Sequence, residues 1–200
     1  MSDTVKQKLA ELGGKLVAGA AQALHPDAGA AELPAGMGEP VFRSTMPFSP
    51  SDQAAALVLV CNSHEYLQAT LDFLRNGLKL ENYDLVSIPG GVQWLALPDL
   101  LPKHNKVARW AAEFLIREHR LSRVIAIAHE NCSAYAGHGT LATLAHLATG
   151  KTPMEHQIDQ LRSAGRELAA SCRVSVELYY AIGDRGAVVF RPVSLDPERA

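Results

Sequence analysis

Short apolar runs without polar alternation constrain the fold of this chain more than any other feature. AAALVLV ends at Val60, and RVIAIA ends at Ala128. A strand without alternation is typical of a sheet that is covered by helices on both faces. YDLVSI, which precedes Pro89, is interpreted as a further buried strand. These runs predict the inner strands of an α/β protein.

Segments of helical periodicity lie between these strands. EYLQATLDFLRNG places Leu67, Leu71 and Leu74 on one face and ends at Gly77. A second apolar stripe predicts a core-facing helix that includes Val107, Trp110, Ala111, Phe114 and Leu115. The alternation of strands and helices indicates right-handed crossovers between parallel strands. The predicted fold class is therefore α/β, with a three-layer, mainly parallel central sheet and flanking helices.

The last quarter of the chain adds a helix and two strands. Thr152, Pro153 and Glu155 predict a capped helix start, and the helix is expected to run to about Ser171. VSVELYYAI and AVVFRPV then flank the sequence Gly-Asp-Arg-Gly at residues 183–186. That arrangement predicts a hairpin or a sharp connection between the strands.

The first 48 residues differ from the rest of the chain. Residues 1–24 place apolar side chains at helical spacing, and residues 26–50 are rich in Ala, Gly and Pro. We therefore predict an N-terminal helix and extended arm at residues 1–48 and an α/β domain at residues 49–200. Such an arm could wrap a partner subunit or fold back on its own domain, and the sequence leaves both arrangements open.

Charge and cysteine content restrict the partners and the compartment. A net charge of −2 provides no electrostatic footprint for nucleic acid or an anionic membrane surface. No stretch approaches the roughly 20 apolar residues that span a bilayer. The chain starts with charges at helical spacing rather than with the apolar core of a secretory signal. Three cysteines do not suit a disulfide framework, so we expect a cytoplasmic protein with reduced thiols.

Three residues of metal-binding type follow two of the predicted strands. Cys61 comes directly after the first strand, and His129 and Cys132 come directly after the third. Ligands gather at the carboxyl ends of strands in open parallel sheets, so these side chains converge if the strands are neighbours. Two cysteines and one histidine are a known donor set for catalytic zinc, with a fourth position left open. The sequence therefore predicts one Zn²⁺; a redox pair of cysteines or chance spacing remains the alternative.

These residues resemble the beta carbonic anhydrases. That family has Cys-x-Asp-x-Arg after its first core strand and His-x-x-Cys after a later one, and this chain has the corresponding residues Cys61, His129 and Cys132. SIPGG, VIAIAHENCSAY and VELYYAIGDRGAVVF are similar to further family segments, so the resemblance covers most of residues 50–193. It implies a zinc-dependent carbonic anhydrase-like lyase that is a homodimer, with the N-terminal arm wrapping the partner subunit.

Two positions depart from the family pattern. Ser63 and Glu65 occupy the places of the Asp and Arg that orient the zinc-bound water in the family, so that pair is missing here. The candidate catalytic residues of this chain are Ser63, His64, Glu65 and Glu130. Ser63 could hold a zinc-bound oxygen or simply cap a helix. His64 could shuttle protons or complete the zinc ligands, and the two glutamates could act as general bases or lie in solvent.

Other side chains could shape the entrance of the site. Tyr135 and His138 follow the second cysteine ligand, and Trp94 is a candidate wall for an apolar pocket. Gly90 and Gly91 could allow the backbone to approach the metal closely, or form a plain turn.

The leading functional hypothesis is reversible CO₂ hydration by zinc-bound hydroxide, with CO₂ or bicarbonate as the small-molecule substrate and no nucleic-acid or membrane partner. A catalytically silent zinc-binding homologue, with His64 closing the fourth position, is one alternative. A zinc hydrolase of another small substrate, with a glutamate as the base, is the other.

Overall fold

The structure is a computed structural model that describes residues 41, 42, 44, 45, 53–97, 99, 102–136 and 149–196. The chain divides into two compact units, Met1–Ser49 and Pro50–Ala200, and the helices and strands given below lie in the second. The predicted N-terminal helix and nearly all of the arm lie outside the described residues.

A mixed five-stranded sheet forms the centre of the second unit, with the strand order β2-β1-β3-β4-β5. The strands are β1 (Leu57–Val60), β2 (Asp84–Ser87), β3 (Arg123–His129), β4 (Ser175–Asp184) and β5 (Ala187–Val193). The first four strands are parallel, and β5 pairs with β4 in the antiparallel direction. β1 and β3 are direct neighbours, so their carboxyl ends meet at one edge of the sheet.

Helices flank this sheet, which confirms the α/β fold class. The described helices are α1 (His64–Asp72), α2 (Gln93–Ala96), α3 (Pro102–Glu118), α4 (Ser133–Ala136) and α5 (Pro153–Cys172). α1 continues into a π-helical turn at Phe73–Gly77. α5 starts with the predicted capping box, in which Thr152 and Glu155 exchange side-chain and backbone hydrogen bonds. Within the described part of the chain, no helix is long and apolar enough to cross a membrane.

The core lies on both faces of the sheet, as the unalternating strands predict. Leu57 and Leu59 of β1 pack into the cluster beneath α2, α3 and α5, whereas Val58 and Val60 pack into the cluster beneath α1. All four residues are buried, and they point alternately to the two faces because side chains in a strand alternate. Burial on both faces explains why the strand needs no polar residues.

Two predictions about burial were wrong. β2 lies at an edge of the sheet, and Leu85 is 41% exposed, so YDLVSI is not a fully buried strand. Most of the predicted stripe on α3 does not face the core either, since Val107, Trp110 and Phe114 are exposed and only Leu115 packs at the core margin. The buried face of α3 instead consists of Asn105, Ala108, Ala112 and Ile116.

A buried hydrogen-bonding group explains the rotation of α3. The Asn105 side-chain amide donates to the backbone carbonyls of Trp94 and Leu95, at 3.0 Å each. These carbonyls stand at the end of α2, where helical backbone acceptors have no partner within the helix. Asn105 faces inward, where its amide satisfies two carbonyls that would otherwise lose their hydrogen bonds on burial, and Trp110 faces out.

The connection between β4 and β5 is the predicted hairpin. Arg185 and Gly186 form its tip with φ angles of 49° and 83°. Two successive positive φ values are typical of a tight turn whose twist matches that of the flanking strands.

Candidate metal centre

The three predicted ligands meet at the carboxyl edge of β1 and β3. Cys61 follows Val60, and His129 is the last residue of β3. Asn131 has a φ of 53°, and this left-handed residue turns the chain so that Cys132 returns towards the strand end. The ligand atoms of Cys61, His129 and Cys132 all lie within 4.8 Å of one another. This group could hold a metal ion.

The distance between the two sulfur atoms fits a tetrahedral metal site. Cys61 Sγ lies 3.7 Å from Cys132 Sγ, and both thiols are free. Two thiolates that share one zinc ion at a Zn–S distance of about 2.3 Å are separated by about 3.8 Å in tetrahedral geometry. The sulfur atoms therefore already have the spacing that a shared ion requires.

The histidine presents one ring nitrogen to this site. His129 Nδ1 donates to the backbone carbonyl of Glu130 at 2.8 Å, which leaves Nε2 as the metal-binding nitrogen. His129 is buried, and among the described residues its Nε2 has no hydrogen-bond partner. An unpartnered buried nitrogen beside two thiols fits a metal ligand, because a bound ion satisfies it.

Hydrogen bonds to the sulfur atoms favour a negative charge on the pair Cys61 and Cys132. The Cys132 thiol donates to Cys61 and, as the largest cause, lowers the pKa of Cys61 to about 4, although burial acts in the opposite direction. The backbone N–H groups of Gly90 and Ser63 also lower this pKa. The pKa of Cys132 is raised by that hydrogen bond, by burial and by the charge on Cys61. The pair thus shares one proton, which a bound metal ion would displace.

The glycine turn after β2 reaches the metal centre through its backbone. The Gly90 N–H donates to Cys61 Sγ at 3.3 Å. Gly90 and Gly91 have φ angles of 77° and 54°, a region that side chains disfavour. A Cβ atom on Gly91 would lie 3.1 Å from the backbone nitrogen of Cys61. The close approach that the sequence suggests for these glycines is confirmed.

Tyr66 stacks on the histidine ligand, a contact that the sequence did not predict. Its ring stacks on the His129 ring with a centroid distance of 4.4 Å. The Tyr66 hydroxyl donates to Glu130 Oε1 at 3.1 Å, and burial together with this carboxylate raises the pKa of Tyr66 to about 12. The sequence indicates this contact only through position: Tyr66 lies five residues after the first cysteine ligand and on the buried face of α1.

Glu130 is anchored rather than directed freely into solvent. Its Oε1 accepts from the Tyr66 hydroxyl and from the Gly183 N–H, the latter at 2.5 Å. These bonds tie the end of β3 to α1 and to the end of β4. The predicted general base therefore connects three elements around the ligand His129.

The other three predicted catalytic residues lie at the start of α1. Ser63 occupies the N-cap position, where its backbone carbonyl accepts from the Leu67 N–H at 2.9 Å, but its hydroxyl makes no capping hydrogen bond. His64 and Glu65 are exposed in the first turn. In the described part of the chain, the metal-ligand group contains neither of them, so the structure does not bring His64 to the metal site.

The predicted entrance residues have different environments. Tyr135 is half-buried on α4, and His138 lies outside the described residues. Trp94 does not line the apolar recess next to Gly91; its half-buried ring packs edge-on against His104 with a centroid distance of 4.4 Å. The recess is lined by Leu59, Val86, Ile88, Gly91, Val92, Leu95 and Ala108. The role of Trp94 as a wall of a substrate pocket therefore stays a prediction, and its ring packs at the margin of the core beside α3.

Comparisons with known proteins give structural matches only. No protein-family model and no curated protein matches the chain. Among solved structures, the chain is similar to the beta carbonic anhydrase CafA of Aspergillus fumigatus, with 15% identity, a TM-score of 0.45, and coverage of 74% of this chain and 79% of that one. A beta carbonic anhydrase of Trichomonas vaginalis matches with 13% identity, a TM-score of 0.44, and coverage of 95% and 97%.

A third match is to tetrameric beta carbonic anhydrases of Sordaria macrospora, with 12% identity, a TM-score of 0.40, and coverage of 69% of this chain and 81% of that one. These identities and TM-scores are low. The donor set and its geometry therefore support the functional proposal independently of the structural matches.

Proposed function

We propose that this chain is a divergent carbonic anhydrase-like protein that binds one zinc ion through Cys61, His129 and Cys132 and catalyses the reversible hydration of CO₂. The observation that supports it most directly is the sulfur pair at 3.7 Å beside the unpartnered His129 Nε2. Two thiolates and one imidazole favour zinc over harder cations such as Mg²⁺ or Ca²⁺. Three protein ligands leave one position for chemistry.

Zinc in this position would supply Lewis acidity, which makes hydroxide available at neutral pH. The surrounding residues preserve that acidity. Backbone N–H groups of Gly90 and Ser63 act on Cys61 and draw negative charge from its sulfur, so the thiolate neutralises the cation less completely. The carbonyl of Glu130 fixes the tautomer of His129, and the Tyr66 ring fixes its orientation.

The missing Asp-Arg pair requires other groups to orient and move the proton. The Ser63 hydroxyl, which makes no capping bond, is our candidate for orienting the attacking oxygen. His64 and Glu65 stand exposed on the same turn and are our candidates for passing the proton to solvent. Glu130 is assigned a positioning role, because its Oε1 already accepts two hydrogen bonds.

The test combines metal content with activity. Wild type and Cys61→Ser are purified without chelators, and both zinc per chain and CO₂ hydration are measured. We expect one zinc and activity in wild type, and loss of both in the variant. Cys172→Ser is the matched control, because Cys172 lies on α5 outside the ligand group and should change neither quantity. Wild type without zinc would overturn the proposal.

A zinc-containing but inactive wild type would favour the catalytically silent homologue or a hydrolase of another substrate. The observation behind these alternatives is that Ser63 and Glu65 stand where the family has its Asp and Arg. Activity towards CO₂ separates the enzyme proposal from the silent one.

We also propose that the protein is a cytoplasmic homodimer. Free thiols at Cys61 and Cys132 suit a reducing compartment, and the Ala, Gly and Pro-rich arm before residue 50 suits an exchange between subunits. The molar mass in solution, measured for the full chain and for a chain lacking residues 1–45, tests the dimer. A monomeric full-length chain would contradict it.

A further inference from the structure

The outer face of α3 is apolar at its centre. Val107 is 62% exposed, Trp110 63% and Phe114 38%. These residues lie three and four positions apart, which places them on one side of the helix. The rings of Trp110 and Phe114 stack on each other with a centroid distance of 5.5 Å. Exposed apolar side chains that are grouped in this way are typical of an interaction site, and tryptophan is a typical anchor of one.

The opposite face of α3 already fills the core of its own domain. Asn105, Ala108, Ala112 and Ile116 are buried on that face. A surface helix of a globular protein needs one apolar stripe towards the core and carries polar residues on the other side. The group of Val107, Trp110 and Phe114 is therefore a second apolar stripe, which the packing of α3 onto its own sheet does not explain.

The charges beside this second stripe change sign along the helix. Lys103 and Lys106 are exposed near the start of α3, and Glu118 is exposed as its last residue, with Arg117 as the one basic residue of the last turn. The ion pairs between described residues include none of these side chains. The helix dipole favours acidic groups at the start and basic groups at the end, so Lys103 and Glu118 are placed against it. An antiparallel helix on this face would present the opposite charge to each of them.

A second copy of α3 provides such a helix. Antiparallel pairing about a two-fold axis near Trp110 places Val107 opposite Phe114 of the partner subunit. The same axis places Lys103 opposite Glu118 of the partner subunit, because both pairs are centred between residues 110 and 111. Apolar contacts in the middle and opposite charges at both ends thus coincide in one arrangement. Parallel pairing would instead bring equal charges together.

We propose that the outer face of α3 is a self-association surface, on which α3 of a second copy packs in the antiparallel direction with Trp110 at the centre. The contact is isologous, since each copy contributes the same residues. The inference goes beyond the proposed carbonic anhydrase activity, because it uses no residue of the metal centre. It gives the proposed homodimer a contact that lies outside the N-terminal arm.

A charge exchange in the full-length chain tests the antiparallel pairing. Sedimentation over a range of concentrations gives the dimer Kd for wild type, Lys103→Glu, Glu118→Lys and the double variant. Each single change turns an attractive pair into a repulsive one at both ends of the dimer, so we expect Kd to rise about tenfold. The double variant should restore the wild-type Kd. Lys103 and Glu118 lie about 22 Å apart along one helix, so restoration requires a second copy.

Trp110→Glu tests the centre of the surface. We expect the dimer Kd to rise at least about a hundredfold, because an anchor is lost from both copies and two like charges meet. Lys79→Glu is the control for a change of charge, since Lys79 is exposed between Leu78 and Leu80, which pack in the cluster beneath α1. It should leave Kd unchanged. Melting curves establish that each variant is folded.

Three results would overturn the proposal. A wild type that is monomeric at every concentration would leave this face to another partner. A dimer that Trp110→Glu does not weaken would place the contact elsewhere, for example in the arm. A double charge variant that dimerises more weakly than both single variants would exclude the antiparallel pairing.

Zinc content and CO₂ hydration, measured on the same samples, separate this proposal from the proposed function. A chain without zinc that shows the predicted pattern of Kd values would retain the surface and remove the metal site. An active zinc protein whose self-association ignores all four variants would retain the activity and remove the surface.

Discussion

The α1 side of the metal centre, formed by Tyr66 and Glu130, and the α2 side, formed by Gln93 and Tyr135, differ in how completely their polar atoms are hydrogen-bonded. On the α1 side the Tyr66 hydroxyl, Glu130 Oε1 and His129 Nδ1 all have partners. On the α2 side Gln93 Oε1 and the Tyr135 hydroxyl have none among the described residues. A fully hydrogen-bonded network holds a metal-ligating side chain rigidly. Polar groups without a hydrogen-bond partner are available to bind a molecule.

This difference indicates a division of roles around three ligands. The α1 side holds His129 in one tautomer and one orientation, which a metal site requires. The Gly90 N–H, next to the α2 side, donates to Cys61 Sγ. The Gln93 amide oxygen and the Tyr135 hydroxyl have no hydrogen-bond partner among the described residues and so hold no metal ligand in place. Variants on the α1 side should therefore cost more stability than removal of the two unpaired groups on the α2 side.

Metal removal has the largest expected effect, because both sides converge on the ion. At a free zinc concentration about 1,000 times its Kd, bound zinc stabilises the native state by about 4 kcal/mol. Addition of a strong chelator should therefore lower the melting temperature of wild type. Cys61→Ser, which lacks one ligand, should show no chelator effect. Identical melting curves for wild type with and without chelator would contradict a bound metal.

Tyr66→Ala should be the most damaging single change on the α1 side. Tyr66 is 8% exposed and stacks on His129, so its truncation leaves a cavity and costs about 3 kcal/mol. Tyr66→Phe keeps the ring and removes only the bond to Glu130, which costs about 1 kcal/mol. Chemical denaturation of the two variants gives both values. An equal loss in both would show that the hydroxyl, not the stacked ring, is the main contribution.

Gly90→Ala probes the contact between the glycine turn and the α2 side. Its φ of 77° disfavours a side chain, and the new Cβ would crowd Gln93 and Ala134. Gly186→Ala is a matched control with a φ of 83° and no atom within 4 Å of the new Cβ. The control should cost about 1 kcal/mol for backbone conformation alone. Gly90→Ala should cost about 1 kcal/mol more through overpacking, and equal losses would contradict the crowding.

Much of the fold follows from local sequence because both faces of the sheet are covered. AAALVLV and RVIAIA could be placed without knowing their neighbours, since only a strand buried on both faces tolerates so few polar residues. The metal-ligand residues could be named for a related reason. They follow strand ends, and the parallel pairing of β1 with β3 brings those ends together.

The errors arose where a tertiary contact decided the outcome. The stripe that includes Trp110 is more apolar than the face that includes Asn105, yet Asn105 is buried because two carbonyls of α2 need its amide. Tyr66 was missed for the same reason, since its stack on His129 joins residues that are distant in sequence. Periodicity reports the average polarity of a face and contains no information about individual partners.

The smallest expected effect separates the two kinds of buried tyrosine. Tyr180 is 2% exposed, and its hydroxyl donates to the buried Gln157, so Tyr180→Phe leaves that amide oxygen unsatisfied and should cost about 1–3 kcal/mol. Tyr135→Phe removes a hydroxyl that has no partner among the described residues, so it should change the free energy of unfolding by less than about 1 kcal/mol, or raise it. Denaturant unfolding of the zinc-loaded variants measures both. If Tyr135→Phe destabilised the protein as much as Tyr180→Phe does, its hydroxyl would have a structural partner, and the α2 side would be as fully bonded as the α1 side.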